Sequence, residues 1–253
     1  MLVTKEDLFS GLTKLGVGKG DSLIVHSSLS SFGVLEDGAR TLIATLQDVV
    51  TAAGLLMMPV FTYGIEPFDK CSTPSRTGHV TEVFRRAPKV FRSEHPSYSV
   101  CLWGNQAYEF SRGHDTESSF GVGSPMQRLL PNSKILLVGV DYTACSMIHV
   151  GQELSGVRYL DRPKLVSVLN EDKTISSSKV RRAGCSLGFN SIALHLDTAK
   201  IKSIHIGGSL LRLVPSSLVV EAAVKMLEED PTSLFCNSLD CFSCDEARGM
   251  LGV

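Results

Sequence analysis

The chain has 253 residues, 25 basic and 26 acidic side chains, and a formal net charge of -1. That balance leaves no electrostatic footprint for nucleic acid or a membrane surface, and no apolar run approaches the ~20 residues of a membrane span. Seven cysteines, an odd number scattered without a dense framework, fit reduced thiols in a cytosolic protein.

The first turn opens on TKED at 4–7, a capping-box pattern for a helix ending near Gly16, and carries no signal-peptide core. Residues 22–26 read as a strand, followed by the polar loop HSSLSSFG at 26–33 and a helix capped by Asp37 and running to Thr51. Strand, small-residue loop and helix is a layout that presents backbone N–H groups to an anion. The loop holds four serines and one glycine, so it is no P-loop, and an ordinary turn is the competing reading.

Residues 55–58 form a buried strand ended by Pro59, and 60–78 a long irregular stretch. Structureless loops of that length are often functional, and Phe61, Tyr63, Phe68 and Asp69 could line an acceptor pocket. A short helix at 82–86 precedes RSEHPSYS at 92–99, where Pro96 keeps His95 extended. A strand at 98–103 and a helix at 104–113 follow; His114 reads as a solvated loop residue. Ser124 caps and Pro125 opens a helix at 126–130.

The continuous apolar run at 134–140 suits a central strand covered on both faces. Asp141, Tyr142 and Thr143 lead into a helix at 144–154, on which Cys145, His149 and Glu153 share a face and Gln152 lies three residues after His149. An imidazole in the first turns of a helix at the mouth of a sheet is either a general base or a packed core histidine. Strands at 165–168 and 174–180, a turn at 184–189, a helix at 191–199, a strand at 201–206 and a helix at 215–229 complete the pattern. The alternation predicts one α/β domain over 1–253, a mixed central sheet with helices on both faces. Cys236, Cys241 and Cys244, with Cys185, could bind zinc; lacking a second tight pair, they read as reduced structural thiols, and no metal is assigned.

HSSLSSFG at 26–33, LLMMPVFTYG at 55–64, the segment 73–100 with RSEHPSYS, GVGSP at 121–125, LLVGV with the following Ile148-His149, and GCSLGF at 184–189 come in this order. Together they resemble the aminoglycoside 3-N-acetyltransferase family over nearly the whole chain. The resemblance implies that family's α/β/α sandwich, distinct from Gcn5-type acetyltransferases. It implies acetyl-coenzyme A as cosubstrate and a small-molecule amine as acceptor, the 3-amino group of an aminoglycoside being one candidate, joined in a ternary complex. It places His149 as the base, with Gln152 and Glu153 beside it. It puts Ser27, Ser28, Leu29, Ser30, Arg92, Ser93, His95 and Ser99 near the coenzyme, with loop N–H groups facing the oxyanion. Tyr63 and Asp69 are the acceptor-side candidates, and a homodimer is left open. The chain departs from the family's His-x-x-Glu: Gln152 stands in the acid's place, and Glu153 lies about 100° further round the helix. Two other readings stay open, a Cys145/His149 acyl-transfer enzyme or hydrolase and a non-catalytic coenzyme-binding relic.

Overall fold

The computed structural model describes residues 2–238 and 240–253. The chain opens with a short strand, β1 (Leu2–Val3), and helix α1 (Lys5–Leu15). Thr4 accepts from the Asp7 N–H, Asp7 accepts in return from the Thr4 N–H, and Gly16 ends the helix at φ 99°. β2 (Ser22–Ser27) leads through a 3-10 turn (Leu29–Phe32) and β3 (Val34–Leu35) to α2 (Ala39–Val50) and β4 (Leu55–Pro59). A long loop then reaches α3 (His79–Arg85), β5 (Phe91–Arg92), β6 (Val100–Gly104), α4 (Ala107–Ser111) and α5 (Pro125–Leu129). After β7 (Ser133–Val138) and α6 (Met147–Leu154) come the hairpin β8 (Pro163–Leu169) and β9 (Ile175–Arg181). β10 (Lys202–Ile206), β11 (Ser209–Pro215), α7 (Ser216–Glu229) and α8 (Phe242–Leu251) close the chain.

The central sheet has seven strands in the order β10-β11-β7-β2-β4-β6-β5. β2 is parallel to both β7 and β4, and the outer pairs are antiparallel. Period-2 alternation divides its side chains between two cores. Ile135 and Leu137 of β7 point to the face carrying α5, α6 and α7, whereas Leu136 and Val138 point to the face carrying α1, α2 and α3. This is the three-layer α/β/α sandwich with a mixed sheet that the sequence leads one to expect.

Several boundaries differ. Asp37 does not cap α2; it sits at φ 44°, and the helix starts after Gly38 with no side-chain cap. The expected helix at 191–199 is a pair of 3-10 turns, because Asn190, Ser191 and Asp197 bond to nearby chain instead of extending a helix. β11 was not foreseen; two glycines, 207 and 208, turn the chain straight back onto β10. α8 was also not foreseen, since only Cys244 and Ala247 of it are buried.

Candidate active site

β7 ends beneath a polar loop. Gly139 follows at φ 61°, and a Cβ there would collide with Ser31 Oγ, so the serine loop folds tightly over the strand end. Ser31 Oγ donates to Ser28 O at 2.6 Å and lies 2.8 Å from Ser209 Oγ. Asp141 accepts from the Thr143 N–H at 3.0 Å and from Asn190 Nδ2 at 2.7 Å, which ties the next turn to the 184–195 segment. Cys145 is extended (ψ 92°), so the expected helix over 144–154 is broken, and α6 starts at Met147. Gly151 lets α7 press close: a Cβ there would lie 2.6 Å from Ala223 Cβ.

His149, on the first turn of α6, is buried. Its Nδ1 lies 2.7 Å from Gln152 Oε1, and Gln152 Nε2 donates to the Tyr159 hydroxyl at 3.0 Å. An amide oxygen facing Nδ1 requires a proton there, which leaves the Nε2 lone pair free. Phe120 and Phe189 pack against the ring, each with its centroid 4.8 Å away, Phe189 edge-on. Burial holds the imidazole down to about 4, only partly opposed by the Gln152 hydrogen bond, so the ring is neutral near pH 7.

His149 lines a cavity of about 190 Å³ with His26, Ser27, Tyr63, Thr77, Thr143, Ser186 and Phe189 among its walls. Among the described residues, no carboxylate, lysine or arginine lines it. His26 is a second buried histidine there, held down to about 4 by burial, and its Nε2 has no partner among the described residues. An open groove of about 690 Å³ shares Ser27 with this cavity and runs along Ser28, Leu29, Ser30, Gly33 and Gly38 to His79. The Ser28 N–H is spent on Val138 O at 2.9 Å. Among the described residues the Leu29 and Ser30 N–H groups have no acceptor.

The other expected site residues separate. Glu153 turns away from His149 and pairs with Arg181 at 3.0 Å; burial pushes its carboxyl up against the pull of that arginine. Tyr63 lines the cavity, half exposed, but Asp69 does not: it accepts from the Cys71 N–H at 2.8 Å and Ser72 Oγ at 2.7 Å beside a different hollow. Asp69 therefore closes a turn.

Arg92, Ser93, His95 and Ser99 are all buried and line neither the cavity nor the groove. Arg92 donates to Ser99 Oγ (3.0 Å) and to the carbonyls of Val60 (3.3 Å), Lys70 (3.3 Å) and Thr73 (2.5 Å). His95 Nδ1 accepts from the N–H groups of Ser97 and Tyr98, so its Nε2–H donates to Ser119 Oγ at 3.0 Å. Ser93 donates to His114 Nδ1 at 2.9 Å, and His114 Nε2–H donates to Ser119 O. His114 is therefore a buried strut and not a solvated residue. The turn expected to meet the coenzyme is braced against the 60–78 loop through Arg92, and most of its polar side-chain atoms bond to protein; Ser97 Oγ has no partner among the described residues.

Cys145 lines the cavity but is fully buried; burial pushes its thiol up to about 12, and no hydrogen bond joins it to His149 among the described residues. A thiolate nucleophile is absent at neutral pH, which counts against the Cys145/His149 dyad. The site residues that sequence reasoning passed over are His26, Phe120, Tyr159, Ser186 and Phe189. GCSLGF carried the signal for Ser186 and Phe189.

A family model described as aminoglycoside 3-N-acetyltransferase matches residues 24–228. The chain is 31% identical over 236 residues to aminoglycoside N(3)-acetyltransferase IV of Salmonella sp., across 90% of this chain and 88% of that protein. It is 31% identical over 175 residues to the SPbeta prophage-derived aminoglycoside N(3')-acetyltransferase-like protein YokD of Bacillus subtilis (strain 168), spanning 59% of this chain and 64% of that one. The crystal structure of aminoglycoside acetyltransferase AAC(3)-IVa, a His-to-Ala mutant in complex with a gentamicin, superposes at TM-score 0.89 with 28% identity over 98% of each chain. A binary complex of AAC-IIIb with CoASH shares the fold at TM-score 0.82 and 22% identity, over 90% and 97% of the two chains.

Proposed function

This chain belongs to the aminoglycoside 3-N-acetyltransferase family, and we propose that it transfers the acetyl group of acetyl-coenzyme A to an amine of a small molecule. The observation that carries this reading is a neutral, oriented His149 on the wall of a cavity that abuts the Ser27–Ser30 groove. Acetyl-coenzyme A lies along the groove, with its thioester at Ser27 where groove and cavity meet. Among the described residues, no lysine or arginine lines the groove. Its phosphates therefore rely on backbone N–H groups, to which the start of α2, left without a side-chain cap at Gly38, contributes.

The amine enters the cavity and attacks the thioester carbonyl while both partners are bound. His149 Nε2 takes the amine's proton as the C–N bond forms; the C–S bond then breaks, and the departing coenzyme thiolate takes that proton from the imidazolium. A base held near 4 is weak in the resting site, but attack on a carbonyl makes the ammonium strongly acidic, so the transfer is favourable when it is needed. The free N–H groups of Leu29 and Ser30 are the donors best placed for the oxyanion. Aminoglycosides are the acceptor class that the family supports. Gln152 and a cavity wall without carboxylates among the described residues lower the hold on a polycation, so a less charged amine is the better fit.

The deciding experiment is a thiol-release assay with acetyl-coenzyme A against a panel of amines that includes several aminoglycosides. Acetylation of any amine, abolished by His149→Ala, supports the reading. Coenzyme binding with no turnover on any acceptor would leave the non-catalytic relic, and turnover independent of His149 would remove the proposed base.

A further inference from the structure

The four cysteines of the tail and of the GCSLGF turn meet at one point. Cys185, Cys236, Cys241 and Cys244 bring their Sγ atoms within 4.8 Å of one another. The Cys236 and Cys244 sulfurs are 3.7 Å apart. A tetrahedral zinc with Zn–S bonds of about 2.3 Å sets its sulfurs about 3.8 Å apart. Disulfides would instead draw the sulfurs into two bonded pairs at about 2.05 Å; here all four converge on a common centre. Sulfurs within 4.8 Å of one another suit one ion and stand too close for a cluster of several.

Two further observations point to a bound cation. α8 buries only Cys244 and Ala247, and the apolar cluster beneath it is small: Tyr159, Leu160 and Ala247, with a few half-buried neighbours. That contact is too little to hold a ten-residue helix by apolar burial alone. The surroundings also place donors and a helix start beside the cluster. The Leu187 N–H donates to Cys185 Sγ at 3.4 Å, Cys241 and Cys244 sit at the N-terminal end of α8, and the Arg248 guanidinium donates to Cys236 O at 3.1 Å.

We propose that Cys185, Cys236, Cys241 and Cys244 form a structural Zn²⁺ site that locks α8 onto the turn behind the active site. The four thiols give up their protons as they ligate, and the closed set of four sulfurs leaves no position for substrate. The ion acts on the active site from two sides. Cys185 anchors the turn that carries Ser186 and Phe189, and Phe189 packs against the His149 ring. α8 backs Tyr159, whose hydroxyl accepts from the Gln152 amide that holds His149 Nδ1.

The test measures metal by mass spectrometry in the full chain, purified without chelator. The expected result is one zinc per chain, lost in Cys241→Ser and Cys244→Ser. Because those variants could misfold, the wild-type chain is also stripped under reducing conditions and titrated with Co²⁺. A tetrahedral all-thiolate spectrum at one equivalent supports the site without any substitution. Hydrogen exchange of α8 should rise on metal removal while the central sheet stays protected. Absence of metal together with no tetrahedral cobalt spectrum would overturn the proposal, as would native-state mass showing the four thiols paired as disulfides. None of these readouts depends on acetyl transfer.

Discussion

The contacts around His149 hold one arrangement: Gln152 takes the proton-bearing nitrogen, two phenyl rings pack against the imidazole, and the other nitrogen has no protein partner among the described residues. His149→Ala should lower kcat by roughly 10²–10⁴ in the thiol-release assay; near-normal turnover would exclude it as the base. Cys145→Ala should leave the rate unchanged, since its thiol is held at about 12. Gln152→Glu tests the departure from the family pattern. A carboxylate makes charge-assisted bonds worth about 1.5–3 kcal/mol against about 0.5–1.5 for a neutral partner, and a 1.4 kcal/mol difference is about tenfold. It also favours the imidazolium, so the pKa of His149 should rise from about 4. We therefore expect kcat/KM on a 2-deoxystreptamine aminoglycoside to rise about tenfold, with its acid limb moved to higher pH. A pH–rate profile that does not move, with no gain in rate, would sink this. The His149–Gln152 pair was legible because residues three apart on a helix share a face. Phe120 and Tyr159 were not, because each comes from a separate segment that meets the site only in the folded chain.

At the scale of elements, the two segments expected to hold the coenzyme part company. The serine loop forms an open groove, and the Arg92–Ser99 turn is interior masonry for the loop that carries Tyr63 and Thr77. Ser28→Phe should therefore abolish coenzyme binding in calorimetry with an unchanged melting temperature. Arg92→Ala should do the reverse, lowering Tm by about 2–4 °C for each kcal/mol lost while the folded fraction still binds. Equal loss of affinity in both would restore Arg92 to the coenzyme. The sequence could not separate these roles, since a polar, arginine-bearing turn looks alike whether its partners are phosphates or carbonyls. β7 was legible as a doubly covered strand from its apolar run. β11 was hidden because the two glycines at 207 and 208 leave no loop between it and β10. The broken start of α6 was hidden too, because nothing in the composition of residues 144–146 forbids a helix.

At the scale of the molecule, four histidines are interior and neutral. Burial lowers His26, His114 and His149 to about 4 and drives His95 well below its ordinary 6.5. The unfolded chain takes up these protons below pH 6.5 and the folded one does not until near 4, so stability is full above 6.5 and falls as the pH drops through that window. Four such groups give a slope of up to about 5 kcal/mol per pH unit, at about 1.36 kcal/mol each. Against a typical total of about 5–15 kcal/mol, the chain should unfold between about pH 6 and 4. Circular dichroism showing a native fold and cooperative melt at pH 4 would refute this. The strand order has a consequence in time. β2 is flanked by β4 on one side and by β7 on the other. Its last residue is 27, and the last residue of β7 is 138. At a synthesis rate of about 5–20 residues per second, the roughly 110 residues between them take about 6–22 s to emerge. Through that interval the middle of the future sheet is a bare apolar edge, open to other chains. Nascent chains halted before residue 133 should associate with chaperones or aggregate, and chains halted well past β11, which covers the far side of β7, should resist protease, so the strand that leads into the active site is also the one that covers the edge of β2.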